Sequence, residues 1–180
     1  MTLTIRHQHA GELASVLAVT RRAFGDNGER VAHLVEQLQS SDAFAERLSF
    51  IAERDGVPVG HTMVTRGWVD APERLVAVHI LSPLSVDPLH QRQGIGRALV
   101  AHAVGSPASL EAPAIFLEGD PAYYGPLGFE RASAHGFSRP SVRIPDAAFQ
   151  VITHASLEPW ITGAIVYPDR FWALDSVGLR

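Results

Sequence analysis

The stretch LVAVHILSPLSVDPLHQRQGIGRALVAH, residues 75–102, decides the fold of this chain. Leu75–Leu81 is apolar apart from His79, and such a run is typical of a strand covered on both faces. Pro83 cannot donate to a strand ladder, so it predicts a bulge or local break. The Asp-Pro pair at 87–88 then ends the extended segment. The stretch therefore begins with a buried strand that changes its geometry near Pro83.

A glycine-containing loop and an amphipathic helix follow this strand. Gly94 and Gly96 are poor helix formers, but they allow a ligand to approach the main chain closely. The free N–H groups at a helix N-terminus carry partial positive charge and favour an anion such as a phosphate. A phosphate-binding loop is therefore expected at residues 91–97. The apolar residues that share one face of the following helix are Ile95, Ala98, Leu99 and Ala103.

Three known phosphate loops compare differently with this segment. A Walker loop requires Gly-Lys-Ser/Thr, whereas Gly96 is followed by arginine. A dinucleotide fingerprint requires glycines directly after the strand and a third glycine where Leu99 stands. The pattern Gln/Arg-x-x-Gly-x-Gly/Ala is fulfilled by Gln91, Gly94 and Gly96. It resembles the acyl-CoA pyrophosphate loop of the GNAT superfamily of N-acetyltransferases. A plain glycine-containing loop before a surface helix is the alternative.

A second motif follows the next predicted strand. Tyr124, Gly128 and Phe129 fulfil Tyr-x-x-x-Gly-Phe, which resembles the second signature of the same superfamily. The segment GDPAYYGPLGF, residues 119–129, is similar to the YhbS-type subgroup of predicted acetyltransferases. The matches together cover about residues 45–130. Two motifs in the expected order support each other more than either does alone.

Length and composition agree with such an enzyme. The 180 residues are 46% hydrophobic and 19% charged, which suits one α/β domain with a real core. The absence of cysteine excludes disulfides and thiolate chemistry and favours a cytoplasmic enzyme. We expect neither a secretory signal nor a membrane span, because no apolar run is long enough. The formal net charge of −4 argues against general affinity for nucleic acid.

Periodicity predicts the other elements. The Asp55-Gly56 pair between two alternating runs indicates a hairpin, and the strand after the phosphate-loop helix should lie parallel to the central strand. The last two strands are expected to pair with each other. A turn is expected at Trp68–Glu73. The predicted helices are residues 10–24 and 29–39, and the predicted strands are Leu3–Ile5, Leu48–Glu53, Val57–Arg66, Ala114–Leu117, Phe149–Thr153 and Gly163–Tyr167.

The resemblance implies the superfamily fold over residues 1–180, which is a single α/β domain. Its mixed, mostly antiparallel sheet is flanked by helices, and two splayed parallel strands form the acyl-CoA cleft. Pro83 would produce the splay. The implied co-substrate is acetyl-CoA. The implied donor-binding residues are Leu84, Ser85, Val86, Gln91, Arg92, Gln93, Gly94, Ile95, Gly96, Arg97, Ala98 and Tyr124.

Acyl transfer from a thioester needs an acid for the leaving thiolate and a base for the amine. Tyrosine has an unperturbed pKa of about 10, close to that of an alkyl thiol, so Tyr124 is the candidate general acid. The resemblance implies the same role, and simple packing beside the donor is the alternative. Glu118 is the candidate base, and His79, Glu53, Asp120 or a water chain are alternatives. The sequence has neither a Gly-x-Ser-x-Gly elbow nor metal-ligand spacing, so we expect direct attack by the amine and no metal.

The acceptor stays open at this point. Small amines, amino acids, aminoglycoside-like antibiotics and protein amines are all compatible with the motifs, as is a homodimer. Two other hypotheses are a toxin that acetylates aminoacyl-tRNA, against which the acidic charge argues, and a non-catalytic acyl-CoA-binding module, against which Tyr124 argues. In the superfamily the first two helices border the acceptor. The polar residues on those helices that could select a substrate, or be merely solvated, are Asp26, Glu29, Arg30 and His33.

Overall fold

A mixed sheet organises the computed structural model, which describes residues 2–178. Met1, Leu179 and Arg180, which belong to the predicted domain, lie outside the described residues. The strands are β1 Leu3–His7, β2 Phe44–Arg54, β3 Val57–Asp70, β4 Leu75–Val86, β5 Ala114–Glu118, β6 Glu130–Arg131, β7 Phe137–Ser138, β8 Phe149–Thr153 and β9 Gly163–Val166. The α-helices are α1 Leu13–Phe24, α2 Gly28–Gln39, α3 Ile95–Gly105, α4 Pro121–Tyr124 and α5 Asp169–Ala173.

The sheet order confirms the predicted fold class. Its main path is β1-β2-β3-β4-β5-β8-β6, in which β4 and β5 run parallel and their neighbours run antiparallel. Asp55 and Gly56 both have positive φ, as a tight hairpin turn between β2 and β3 requires. No helix within the described residues has the length and apolar character that crossing a membrane requires.

The predicted pairing of the last two strands is wrong. β8 pairs with β5 and β6, whereas β9 pairs with β3 and β7. β3 has 14 residues and continues past the position where β2 begins, since the register of Phe44 is with Thr65. β9 takes the edge left open at Trp68–Asp70. The predicted turn at Trp68–Glu73 begins later for the same reason, because its first three residues belong to β3.

Apolar clusters cover both faces of the sheet. In β5, Phe116 packs with the residues of α1 and α2, whereas Ile115 and Leu117 pack with those of α3. β5 is therefore buried on both faces, but the start of β4 is not. Leu75 is 56% exposed, because the apolar cluster beneath α3 includes residues of β4 only from Leu81 onward. The prediction of two covered faces is thus wrong for the first half of β4.

Asp87 fixes the junction between β4 and the loop before α3. Its carboxylate accepts a hydrogen bond from the Leu89 N–H at 3.0 Å and pairs with Arg22 of α1 at 2.6 Å. We expect Asp87→Ala to lower the free energy of unfolding in urea by about 1–2 kcal/mol, the usual cost of losing a capping side chain. Asp26→Ala removes an exposed carboxylate that has no hydrogen bond or ion pair within residues 2–178, so it should cost less than about 0.5 kcal/mol. Equal losses in the two variants would contradict this role of Asp87.

Candidate active site

The parallel strands β4 and β5 separate soon after they meet. They pair only through residues 79–80 and 115–116 within the described sheet. On β4, residues 82–83 lie opposite the single residue Met63 of β3, which is a β-bulge. The Ser82–Pro83 peptide is cis, and Pro83 has no N–H with which to continue a ladder. The predicted splayed pair is thus confirmed, and it leaves an opening between the end of β4 and the end of β5.

A cavity of about 520 Å³, called here the loop cavity, lies at the N-terminus of α3. In the described part of the chain, the N–H groups of Ile95, Gly96 and Arg97 make no hydrogen bond, whereas Ala98 already donates to the Gly94 carbonyl at 3.0 Å. Free N–H groups at a helix start favour an anion. The lining residues are Leu84, Val86, His90, Gln91, Arg92, Gly94, Ile95, Gly96, Arg97 and Tyr123.

The glycine at the start of α3 keeps the loop cavity open. A Cβ on Gly96 would lie 2.5 Å from the Tyr123 hydroxyl and 3.6 Å from a methyl group of Leu84. Any side chain there would therefore enter the cavity. Arg92 and Arg97 add positive charge, and no acidic residue is among the described residues that line it. The loop cavity is thus suited to a diphosphate or a similar anion.

Four of the predicted donor-binding residues, Ser85, Gln93, Ala98 and Tyr124, are not among the lining residues of the loop cavity. The Ser85 hydroxyl is buried and donates to Thr20 at 3.3 Å. The Gln93 side chain donates to the Leu89 carbonyl at 3.3 Å and accepts from Arg54. Ala98 has its N–H engaged within the helix start.

Two residues that line the loop cavity were not predicted to do so. His90 and Tyr123 both belong to its lining. No local pattern marks His90, which belongs to the short 3-10 helix at residues 88–90. Tyr123 could have been predicted from its place beside Tyr124 in α4, because the side chains of adjacent residues in a one-turn helix point to different sides.

A second cavity, called here the cleft cavity, has a volume of about 290 Å³ and lies between the splayed strands and the first two helices. It contains both predicted catalytic residues, Glu118 and Tyr124. Leu84 lines both cavities, so the two adjoin at the end of β4. The lining residues are Phe24, Asn27, Arg30, Val31, Leu34, Leu81, Ser82, Pro83, Leu84, Glu118, Tyr124, Ser176 and Gly178.

One of the four polar residues considered for substrate selection reaches the cleft cavity. Arg30 is part of its lining, whereas Asp26, Glu29 and His33 are not. Glu29 instead pairs with Arg21 at 2.9 Å, and His33 lies 3.6 Å from a Glu36 oxygen along the same helix. These contacts are typical of a solvated helix surface.

Tyr124 is held at the edge of the cleft cavity by a short, capped helix. The Asp120 carboxylate accepts from the Ala122 N–H at 2.9 Å, and Pro121 opens the turn. The Tyr124 ring packs on Gly119, where a Cβ would lie 2.2 Å from the ring. Burial, with a smaller effect of the neighbouring Tyr123, raises the pKa of Tyr124 to about 12. The hydroxyl therefore stays protonated near neutral pH and can donate a proton.

Glu118 lies at the end of β5 with its carboxyl group half-buried. Burial raises its pKa to about 7, partly offset by a hydrogen bond from the Gly178 N–H, by the nearby Tyr167 hydroxyl and by Arg143. The Gly178 nitrogen lies 3.0 Å from Oε2. A carboxyl group with this pKa in a cleft can accept a proton near neutral pH, and such groups are frequent at functional sites.

The alternative bases have other roles in the structure. Glu53 forms an ion pair with Arg6, and Asp120 caps α4. His79 has its Nδ1 atom 3.2 Å from the Ser109 carbonyl oxygen, and burial lowers its pKa. None of the three belongs to the described lining of the cleft cavity.

Comparisons with known proteins agree with this geometry. The profile of the acetyltransferase (GNAT) family matches residues 14–128. The uncharacterised N-acetyltransferase YjhQ of Escherichia coli K12 is 32% identical over 123 residues, which are 66% of this chain and 65% of YjhQ. The uncharacterised N-acetyltransferase YhbS of the same strain is 30% identical over 158 residues, which are 86% of this chain and 89% of YhbS.

Two solved structures share the fold over nearly the whole chain. Escherichia coli YhbS, crystallised in complex with CoA, superposes with a TM-score of 0.81 and 27% identity, covering 94% of this chain and 91% of YhbS. A GNAT family acetyltransferase from Brucella melitensis, in complex with acetyl-CoA, has a TM-score of 0.74 and 25% identity, covering 94% of this chain and 98% of its own.

Proposed function

The chain belongs to the acetyltransferase (GNAT) family, and from this premise we propose that it transfers the acetyl group of acetyl-CoA to a primary amine by direct attack. The resemblance first inferred from the two sequence motifs is confirmed by the family match. The observation that carries the proposal is the junction of the two cavities at Leu84. One cavity offers an anion site, and the other holds a carboxyl group beside a phenol. The complexes of YhbS with CoA and of the Brucella protein with acetyl-CoA support the choice of donor.

The donor would lie across the end of β4. In this arrangement the free N–H groups of Ile95–Arg97 and the guanidinium groups of Arg92 and Arg97 bind the pyrophosphate. The pantetheine arm pairs with the backbone of Leu84 and Val86 as an added strand would. A backbone N–H there polarises the thioester carbonyl, and one such donor contributes about 2.7–4 kcal/mol to transition-state stabilisation.

The chemical step then uses the two groups of the cleft cavity. Glu118 accepts a proton from the ammonium form of the acceptor, directly or through water. The free amine attacks the thioester carbonyl, so that a carbon–nitrogen bond forms and the carbon–sulfur bond breaks. The departing thiolate takes a proton from Tyr124, and the second proton that the nitrogen loses as the amide forms returns Tyr124 to its neutral form. The products are an N-acetylated amine and the free thiol of CoA.

Calorimetric titration with acetyl-CoA tests the donor, and an amine panel tests the reaction. We expect saturable binding, and release of CoA thiol that matches the N-acetylated product detected by mass spectrometry. Absence of binding by the folded protein would overturn the proposal. Binding without acetylation of any amine would instead support the acyl-CoA-binding module.

The other hypotheses have less support. A module that only binds acyl-CoA does not need a half-buried carboxyl group and a phenol in the same cavity, as Glu118 and Tyr124 are here. A toxin that acts on aminoacyl-tRNA normally needs a basic surface, whereas this chain has a net charge of −4. We further propose a cytoplasmic location, which a chain without cysteine favours.

Tyr124→Phe should lower kcat about tenfold. This loss is below the usual range for general acids, because a thiolate leaves with less help than an alkoxide. Because burial raises the pKa of Tyr124 to about 12, the wild-type kcat should show no decline from tyrosine ionisation up to about pH 10. Steady-state kinetics over pH measures both effects. Tyr123→Phe, which changes the loop cavity instead, should alter the KM for acetyl-CoA more than kcat. An unchanged kcat in Tyr124→Phe at every pH would rule out the acid role.

A further inference from the structure

The cleft cavity carries one acidic and one basic side chain. Among the described lining residues, Glu118 is the acidic residue and Arg30 the basic one. Glu118 is half-buried at the end of β5, whereas Arg30 is exposed on α2. An amine that reaches Glu118 therefore lies in a cavity that Arg30 also lines.

The Arg30 guanidinium is positioned but not neutralised. It donates to the backbone carbonyl of Asp175 at 2.5 Å, and within residues 2–178 it forms no ion pair with a carboxylate. The Asp175 side chain is paired with Arg143 at 2.6 Å. A guanidinium has five N–H donors in a planar fork that matches a carboxylate. The contact with Asp175 holds Arg30 at the cavity while most of its donors stay available.

The cleft cavity also has six apolar side chains in its lining, beside polar ones such as Asn27, Ser82 and Ser176. Three of the apolar side chains come from the first two helices and three from the end of β4. A volume of about 290 Å³ lies just below the usual range for small-molecule sites, about 300–1,000 Å³. The cavity therefore fits a compact molecule. These apolar lining residues are Phe24, Val31, Leu34, Leu81, Pro83 and Leu84.

We propose that the acceptor is a small amine that also carries a carboxylate, and that Arg30 binds this carboxylate while the amine faces Glu118 and Tyr124. This inference rests on the proposed acetyltransferase function and names its substrate class. A polycation such as an aminoglycoside would meet a single carboxyl group and an arginine, which is a poor electrostatic match. A guanidinium–carboxylate pair instead gives two parallel charge-assisted hydrogen bonds.

Matched pairs of acceptors provide the test. The pairs are the ω-amino acids aminobutanoate, aminopentanoate and aminohexanoate against butylamine, pentylamine and hexylamine. Each pair differs mainly by the terminal carboxylate and has a similar amine. The measured quantity is the ratio of kcat/KM for the amino acid to kcat/KM for the alkylamine, followed through release of CoA thiol. For the wild type we expect a ratio of about ten or more for at least one chain length.

Substitutions at Arg30 decide whether the guanidinium causes this preference. Arg30→Met should bring the ratio close to one, Arg30→Lys should keep an intermediate ratio, and Arg30→Glu should favour diaminobutane over aminobutanoate. Arg74→Met is the matched control and should keep the wild-type ratio. Arg74 precedes β4 and is seven residues from Leu81 along an extended strand, roughly 20 Å away.

Any result other than these expected ratios overturns the inference. A wild-type ratio near one with both series acetylated would leave the acetyltransferase function standing and remove the role of Arg30. A high ratio that persists in Arg30→Met would place the carboxylate site elsewhere. Failure to acetylate any member of either series, while another amine of the panel is acetylated, would overturn the inference alone, whereas failure with every amine, with acetyl-CoA bound, would also overturn the proposed function.

Discussion

Gly96→Glu should raise the Kd for acetyl-CoA at least about a hundredfold, which corresponds to about 2.7 kcal/mol. The new side chain would enter the loop cavity, because a Cβ at this position already lies 2.5 Å from the Tyr123 hydroxyl. Its carboxylate would occupy the place where the N–H groups of Ile95–Arg97 receive an anion and would repel the pyrophosphate. Two like charges about 4 Å apart near a protein surface interact by about 4 kcal/mol, which exceeds the required loss.

Calorimetry on two variants of the same helix separates this effect from damage to the fold. Gly105→Glu adds the same carboxylate at the other end of α3, where a Cβ would meet nothing within 4 Å, and it should bind acetyl-CoA like the wild type. Gly96→Ala, which adds only the methyl group, should give a smaller loss than Gly96→Glu. Urea unfolding of all three variants checks their stability. Wild-type affinity in folded Gly96→Glu would show that the donor binds outside the loop cavity.

The strand, loop and helix around residues 75–102 could be predicted because local patterns determine them. The bulge follows from the missing N–H of Pro83, and the helix face follows from the apolar spacing after Gly94. The alternation of side chains along a strand would also have predicted that Ser85 faces away from the side on which Leu84 and Val86 lie. Side chains of a strand alternate between faces, so Leu84 and Val86 line the loop cavity while the Ser85 hydroxyl contacts Thr20.

Contacts between distant segments could not be predicted in this way. The Gly178 N–H reaches the Glu118 carboxylate across 60 residues of sequence, and Arg30 is held by the Asp175 carbonyl across 145 residues. Neither contact has a local sequence signature. The sequence could therefore name Glu118 as a candidate, but the pKa of its carboxyl group depends on burial and on the distant N–H group of Gly178. The pairing of β9 with β3 likewise has no local sequence signature, because it depends on how far β3 extends past the start of β2.

Glu118→Gln should lower kcat/KM about a hundredfold or more at neutral pH, within the usual contribution of a general base. The carboxyl group must be deprotonated to accept a proton. Because burial raises the pKa of Glu118 to about 7, wild-type kcat/KM should rise about tenfold per pH unit below pH 7 and level off above it. The amide cannot ionise, so Glu118→Gln should lose this rise. Initial rates over pH with saturating acetyl-CoA measure both effects.

In unfolding experiments Glu118→Gln should have the opposite effect: it should stabilise the fold although it lowers activity. A carboxyl group whose pKa is higher in the folded chain than in the unfolded chain favours folding while it is protonated, and this stabilisation is lost as pH rises. For Glu118 the loss extends from its ordinary pKa of 4.5 to about 7. Above that range Glu118→Gln should be more stable in urea than the wild type. Glu46→Gln, which alters an exposed carboxylate with no hydrogen bond or ion pair in residues 2–178, should change neither activity nor stability. If Glu118→Gln kept the wild-type pH profile, the proton would leave by a water chain and Glu118 would not be the base.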